Sequence, residues 1–372
     1  MSHRKGLSRR DFLRAGVVAG GVVMLGAPFA RFISPVQARL SDVPVVDRLV
    51  VTTVVDAYYD MLAPAETRGS LAVERAHAQI HAQHGLALFL ESERGNETKR
   101  VMLDFAWTPE SLMHNMNVLD VDTNSIDAMV LSHGHSDHFG GLMEFVDAYR
   151  EFMPAEVPLY VGGDDALCKR WIGPPENRRS FGVLDRTGLE EAGVKVVKSE
   201  SGAVVAGHGF TSGVIERDTM EKVIPNTTVE IGEMDGNGCT GAQHEAHFSG
   251  EELEGNFLFD HHWGEHATAY HVKDRGLVVI SSCGHAGLVN SVKQARRASG
   301  VDKVHAVMGG FHLSPADPGY VEDVIDLLIQ ETDPDYVMPM HCTGANFSYI
   351  MAAKYPDRLV DSYVGTRFVF GA

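Results

Sequence analysis

Within the six residues His133-Gly134-His135-Ser136-Asp137-His138 the chain places three imidazoles and one carboxylate, and Gly140-Gly141 follow almost at once. Glycine lets a backbone turn tightly, so donors this close in sequence can converge. His133 and His135, two positions apart, can point together at one cation, while Asp137 and His138 can turn toward a second. Nitrogen and oxygen donors of this kind suit Zn²⁺, and also Fe or Mn. Few structural roles need such density.

Two ions need more ligands than this run supplies. His285, in Cys283-Gly284-His285-Ala286-Gly287, and His341, in His341-Cys342-Thr343-Gly344, each follow an apolar strand-like stretch, as His133 does, and are the natural completions. Cys283 offers a thiol that either binds metal or supports a ligand. His84, His208 and His312 suit substrate contact or support of a ligand better than direct ligation. His77 and His81, spaced i, i+4, read as a solvated face. His244, His247, His261, His262 and His266 crowd one polar stretch, which suits a lid or an adventitious ion.

These residues must be positioned by strands and helices. Val45 to Asp56, Gly85 to Glu91 and Arg100 to Asp104 are rich in β-branched and apolar residues and read as strands. Gly69 to Gln83 reads either as a helix or as a mobile insertion. Pro109 to Leu119 has helical spacing with Pro at its start. Ile126 to Leu131 is a buried strand running into His133, with a helix from Leu142. Pro158 to Val161 and Val194 to Val197 are further strands. Lys222 to Phe259 is polar and glycine-rich, an insertion near the site. Ala267 to Ser281 then reads as a hairpin, followed by a helix at Leu288 to Ser299, a strand at Val304 to Met308, a helix at Val321 to Gln330 and a strand at Tyr336 to Met340. Strand, loop histidine, helix recurs, and α/β folds place ligands at such strand ends.

The chain has 372 residues, of which 44% are hydrophobic and 22% charged, enough for a large core. Its net charge is −18. The first 38 residues hold six Lys or Arg against Asp11, so taking their +5 out of −18 leaves −23 for the remainder. Such a body repels phosphate backbones, so a small molecule is the expected partner and nucleic acid is not. The basic start, Ser8-Arg9-Arg10-Asp11-Phe12-Leu13, the apolar run Ala15 to Phe29 and Val36-Gln37-Ala38 read as a twin-arginine export signal with a cleavage site. That implies contact with the twin-arginine export machinery, a periplasmic or extracytoplasmic destination and no stable membrane insertion after cleavage. Residues 39–372 are then expected to form one catalytic domain with an insertion around 222–262. Four cysteines, at 168, 239, 283 and 342, are too few and too scattered for a disulfide framework, which leaves stability to the core.

The stretch Ser132 to Gly141, SHGHSDHFGG, resembles the HxHxDH signature of the metallo-β-lactamase superfamily. Asp56, His84-Gly85, Thr211-Ser212-Gly213, CGHAG at 283–287, GGFHL at 309–313 and HCTG at 341–344 look like the branch named for 7,8-dihydropterin-6-methyl-4-(β-D-ribofuranosyl)aminobenzene-5′-phosphate synthase. The resemblance covers nearly all of residues 45–346. It implies an α/β (α+β) fold, a four-layer αββα sandwich with two divalent ions in a cleft at one edge. Cys283 stands where many members carry a bridging aspartate. Glu265 and His266 replace a usual pair of acids, so a role inherited there does not follow.

The metal set expected is His133, His135, Asp137, His138, His285, His341 and Cys283, holding two divalent ions, Zn in the first instance and Fe or Mn otherwise. Asp137, His208 and His312 are the expected catalytic side chains, Asp137 orienting water and either histidine assisting the leaving group. The expected activity is hydrolysis of a small ester, lactone or phosphoester. An iron-dependent redox enzyme on the same fold and a non-catalytic ligand-binding protein are the competing readings.

Overall fold

The structure, a computed structural model, describes residues 39–245, 247–253 and 257–371. The expected export signal over residues 1–38 lies outside the described residues. Strands β1 (Arg48–Val55), β2 (Ala87–Arg94), β3 (Glu97–Leu103) and β4 (Ala128–Leu131) form the centre of a nine-stranded sheet. Beyond β4 lie Val157–Val161 and Val194–Lys198, and beyond β1 lie Thr366–Phe370, Leu71–Arg75 and Glu66–Arg68. A second sheet of seven strands contains β5 (Thr268–Val272), β6 (Gly276–Ile280), β7 (Val304–Gly310) and β8 (Tyr336–Met340). β1 is buried along almost its whole length, as its unbroken Leu-Val-Val-Thr-Thr-Val-Val run requires of a strand covered on both faces.

Three apolar clusters define the layers. One lies between the first sheet and the helices Pro109–Val118 and Leu142–Tyr149, and includes Phe89, Leu112 and Phe145. A second, with Leu49, Leu88, Tyr270 and Met308, fills the space between the sheets. The third packs the second sheet against the helices Leu288–Ser299, Pro318–Thr332 and Ala345–Lys354. The order is therefore helix, sheet, sheet, helix, the αββα sandwich expected.

Strand direction brings the functional loops together. β3 and β4 are parallel, so Asp104 and His133 leave the first sheet at the same edge. β1 runs antiparallel to β2, so the end of β1 at Asp56 and the approach to β2 at Gly85 share that edge. β6, β7 and β8 are mutually parallel and release Cys283, His312 and His341 at one edge of the second sheet. Helical crossovers make this arrangement: the helix Leu288–Ser299 joins β6 to β7, and Pro318–Thr332 joins β7 to β8.

The structure corrects two expectations. Gly69 to Gln83 is neither helix nor free insertion, because Leu71–Arg75 is a strand paired with Thr366–Phe370, itself not read from sequence. Leu71 and Val73 alternate inward in a stretch too short for its period to outweigh the surrounding helix formers. The core is also not the only source of stability, since Cys168 and Cys239 form a disulfide across a separation of 71 residues. The described part of the polar stretch Lys222 to Phe259 packs around that bond. Its Thr228–Glu230 and Phe257–Phe259 strands pair with each other, and Thr228–Glu230 also pairs with Lys169–Ile172, in a small antiparallel sheet.

Candidate metal centre

The cluster is built outward from the end of β4. Ser132 donates to both oxygens of Asp104, from its N–H and its hydroxyl, each at 2.8 Å. The same hydroxyl lies 3.0 Å from His133 Nδ1, which turns Nε2 of that ring into the cleft. Asp104 Oδ2 also meets His138 Nδ1 at 2.7 Å, leaving the other nitrogen of His138 3.3 Å from His341 Nε2. Tethering one imidazole nitrogen so that the other faces an ion is how metal-binding histidines are usually held. Gly134 is required here for space: a Cβ would sit 2.2 Å from both Ala166 O and an Arg170 guanidinium nitrogen.

The loops of the second sheet complete the cluster. Glu265 accepts from the backbone N–H groups of His285 (3.0 Å) and Ala286 (2.5 Å), which fixes the His285 loop. Asp56 accepts from the N–H of His341 at 2.6 Å, and Gly85 N–H reaches His341 Nδ1 at 3.2 Å. His341 adopts φ +47°, and Asp104, Ala106, His262 and His312 are also non-glycine residues with left-handed φ. Such backbone costs about 1–3 kcal/mol per residue and concentrates where a site demands it.

Donor atoms of His133, His135 and His285 lie within 4.8 Å of one another, and so do those of His133, His138 and Cys283 and those of His84, Asp137 and His341. Asp137 Oδ2 stands 3.3 Å from His341 Nε2 and 3.8 Å from His138 Nε2. The seven expected ligands therefore meet in one buried cluster, with Cys283 common to more than one group. His133 Nε2, His285 Nε2 and Asp137 Oδ1 are buried and without a hydrogen-bond partner. Leaving three such atoms bare costs about 1–3 kcal/mol each, so the donor set fits cations bound among them.

The electrostatics agree. Burial, reinforced by the neighbouring imidazoles, holds His133 and His285 well below the usual histidine range, so both present lone pairs at neutral pH. Burial alone would raise the Asp137 carboxyl, but His138 and His341 outweigh it and hold Asp137 well below the usual carboxylate range. Burial opposes a charge on His341 also, yet Cys342 and Asp137 beside it push its pKa well above the ordinary value. Burial raises Asp56 and Glu265 to about 7 each.

Of the other expected residues, His312 is brought to the cluster and His208 is not. The His312 ring lies 4.1 Å from that of His285 and is partly exposed. His208 bonds Ser92 at 3.0 Å and faces Glu97, at the far end of the β2–β3 hairpin, because the short strand after it packs over that end of the sheet. His84 sits at the exposed rim, 3.4 Å from Asp137 Oδ2. His266 is a core residue, bonded to Leu131 O and Ser199. His77 and His81 stay on the surface, His81 stacked on His114.

Sequence reasoning missed the contribution of the insertion. His262 is buried, stacks on His285 at 3.8 Å and lies 4.9 Å from the His135 ring. Thr227 Oγ1 meets His135 Nε2 at 3.0 Å and donates to Asp260 Oδ2 at 2.8 Å. Fully buried Arg170 pairs with Asp260 at 2.8 Å and with Asp165 at 3.0 Å. The crowding of five histidines was the only signal, and nothing local distinguishes His262 from its neighbours.

Residues 94–216 match the metallo-β-lactamase superfamily, and the αββα sandwich is the fold of that superfamily. The chain is 28% identical to 7,8-dihydropterin-6-methyl-4-(β-D-ribofuranosyl)-aminobenzene-5′-phosphate synthase of Methanocaldococcus jannaschii over 71% of its own length and 82% of that protein. It is 23% identical to an uncharacterized protein of the same organism, over 78% of this chain and 94% of the other. A solved metal-dependent hydrolase of the β-lactamase superfamily superposes with TM-score 0.61 at 19% identity, covering 86% of this chain and 98% of that one.

Proposed function

We propose that the chain is a metal-dependent hydrolase of small esters, lactones or phosphoesters, with residues 39–372 acting as one catalytic domain. The observation that carries this reading is the set of buried, unpartnered donor atoms on His133, His285 and Asp137 inside a single cluster. Two divalent cations, Zn²⁺ in the first instance and Fe or Mn otherwise, would be held by His133, His135, His285, Asp137, His138, His341 and Cys283. When bound they supply Lewis acidity, polarising the substrate oxygen and making water nucleophilic at neutral pH.

The chain's own groups do the rest. Asp137, kept ionised by His138 and His341, accepts a hydrogen bond from the attacking water and aims it. A small, partly open pocket lies beside the cluster, lined by Lys222, Ile224, His285, Phe311, His312 and Tyr320 among others. His312 at its wall is placed to protonate the leaving group. The exposed Lys222 ammonium would hold an anionic end of the substrate while Phe311 and Tyr320 cover an apolar or aromatic body. The similarity to a synthase whose product name contains a dihydropterin and a phosphate adds phosphorylated aromatic compounds to the substrates worth assaying.

The leader residues would send the protein through the twin-arginine machinery to an extracytoplasmic space, and the Cys168–Cys239 bond suits an oxidising destination. Elemental analysis of protein made without added metal, combined with a screen of lactones, β-lactams, phosphomonoesters and phosphodiesters, tests the reading. About two transition-metal ions per chain and chelator-sensitive turnover are expected. Iron with oxygen-dependent turnover, or ligand binding without turnover, would replace it by a redox enzyme or a binding protein.

A further inference from the structure

The four cysteines form two pairs with opposite fates. Cys168 and Cys239 are bonded. Cys283 and Cys342 remain free thiols although their sulfurs stand 3.2 Å apart in the interior. Two thiols so close invite oxidation in the compartment that suits the first pair, unless something else occupies their lone pairs.

Their surroundings are those of a binding corner. Donor atoms of Cys283, His341 and Cys342 lie within 4.8 Å of one another, and Cys283 with His285 and His312 meets the same limit. The backbone N–H of His312 donates to Cys342 Sγ at 3.2 Å, fixing the sulfur in place. Gly310 leaves room for it, since a Cβ there would approach that sulfur to 2.9 Å. Both sulfurs therefore have a set position beside a residue of the cluster, and neither is a loose surface thiol.

We propose that Cys342 is a metal-binding residue, and that Cys283 and Cys342 together make the His341 side of the cluster a thiolate corner. The inference rests on the metal-centre reading but goes beyond the seven ligands given there. Both sulfurs bind as thiolates, any remaining thiol proton leaving to solvent, and no electron is transferred. Sulfur donors favour Zn²⁺, Co²⁺ or Cd²⁺ over Mn²⁺ and Mg²⁺, so the corner selects a thiophilic ion.

The test titrates metal-free full chain with Co²⁺ alone under a reductant and reads the near-ultraviolet sulfur-to-cobalt charge-transfer absorption. The wild type should develop this band, Cys283→Ser and Cys342→Ser should each lose roughly half of it, and the double variant should show none. A full band in a folded Cys342→Ser protein overturns the proposal. Should that variant fail to fold, cadmium NMR of the wild type decides: a resonance shifted by two sulfur donors supports the thiolate corner, and one shifted by a single sulfur, or by none, overturns it. Absence of hydrolytic turnover would sink the enzyme reading and leave the cobalt band untouched, so the two failures are distinguishable.

Discussion

The edge of the two large sheets and the insertion around residues 222–262 both reach the cluster, but they contribute different things. The sheet edge supplies donors: His133, His285 and His341 each follow a buried strand, and strand direction alone brings them together. The insertion supplies orientation and enclosure. Thr227 and Asp260 hold His135 from its far side, and His262 covers the His285 ring. Besides the disulfide and the pairing of Thr228–Glu230 with Lys169–Ile172, the insertion is held by Arg170, whose buried charge is balanced by Asp260 and Asp165. On the proposed metal-centre reading, the scaffold supplies the donors and the insertion sets their placement.

Removing donors from the scaffold is the largest test. Replacing His133 and His135 together by alanine should lower both bound metal and turnover, the latter on the order of 10³-fold or more, since Lewis-acid stabilisation amounts to several kcal/mol. Metal counted by mass spectrometry beside steady-state rates checks it; full metal with full turnover would put the chemistry elsewhere.

Thr227→Val sharpens the contrast from the other side. The change removes the hydroxyl at 3.0 Å from His135 Nε2 while leaving the buried Arg170–Asp260 pair in place. Loss of a group that orients a ligand typically costs about 10–100-fold in metal affinity or activity. Chelator competition should show a loss in that range, smaller than the alanine pair produces; a loss as deep as that of the pair would erase the distinction between the two regions.

How legible each region was follows from how its residues act. Donors of the scaffold sit in short motifs next to apolar runs, so composition and spacing found them, whereas the four layers followed only from the family resemblance that those motifs carry. His208 looked equivalent to His312 in sequence, and only the packing of its strand over Ser92 separates them. Asp260 and Thr227 act across 125 and 92 positions respectively from His135, through contacts that no local period records. Arg170 is buried only because the insertion folds over it, a contact that no local period records. The Cys168–Cys239 pairing was illegible for the same reason, because two isolated cysteines give no spacing to interpret.

The protonation state of the cluster gives a smaller effect. His341 has its pKa raised in the metal-free protein, so near neutrality it carries a proton that binding must displace. His133 and His285 are depressed and contribute no such proton. The buried Cys283 thiol, also raised, carries another, so apparent metal affinity should rise with pH, by up to about tenfold per unit for each proton displaced, until the raised pKa values of both groups are passed. Calorimetry in buffers of different ionisation enthalpy should detect proton release at neutral pH. No release would mean that neither His341 nor the Cys283 thiol carries a proton that metal displaces.

Opening the disulfide should affect the chemistry least. The Cys168→Ser, Cys239→Ser double variant frees a loop spanning 71 positions, and the chain-entropy account puts the loss of stability at about 2–4 kcal/mol. Yet the bond ties down the hairpin of Gly232–Met234 and Asn237–Cys239, whereas Thr227 and Asp260 are held by Arg170 and by pairing of Thr228–Glu230 with Lys169–Ile172. Thermal denaturation should thus shift downward while turnover per folded molecule, below the transition, stays close to wild type. If turnover collapsed with metal retained, the placement of His135 would depend on the covalent tether, and the electrostatic hold of Arg170 would be insufficient on its own.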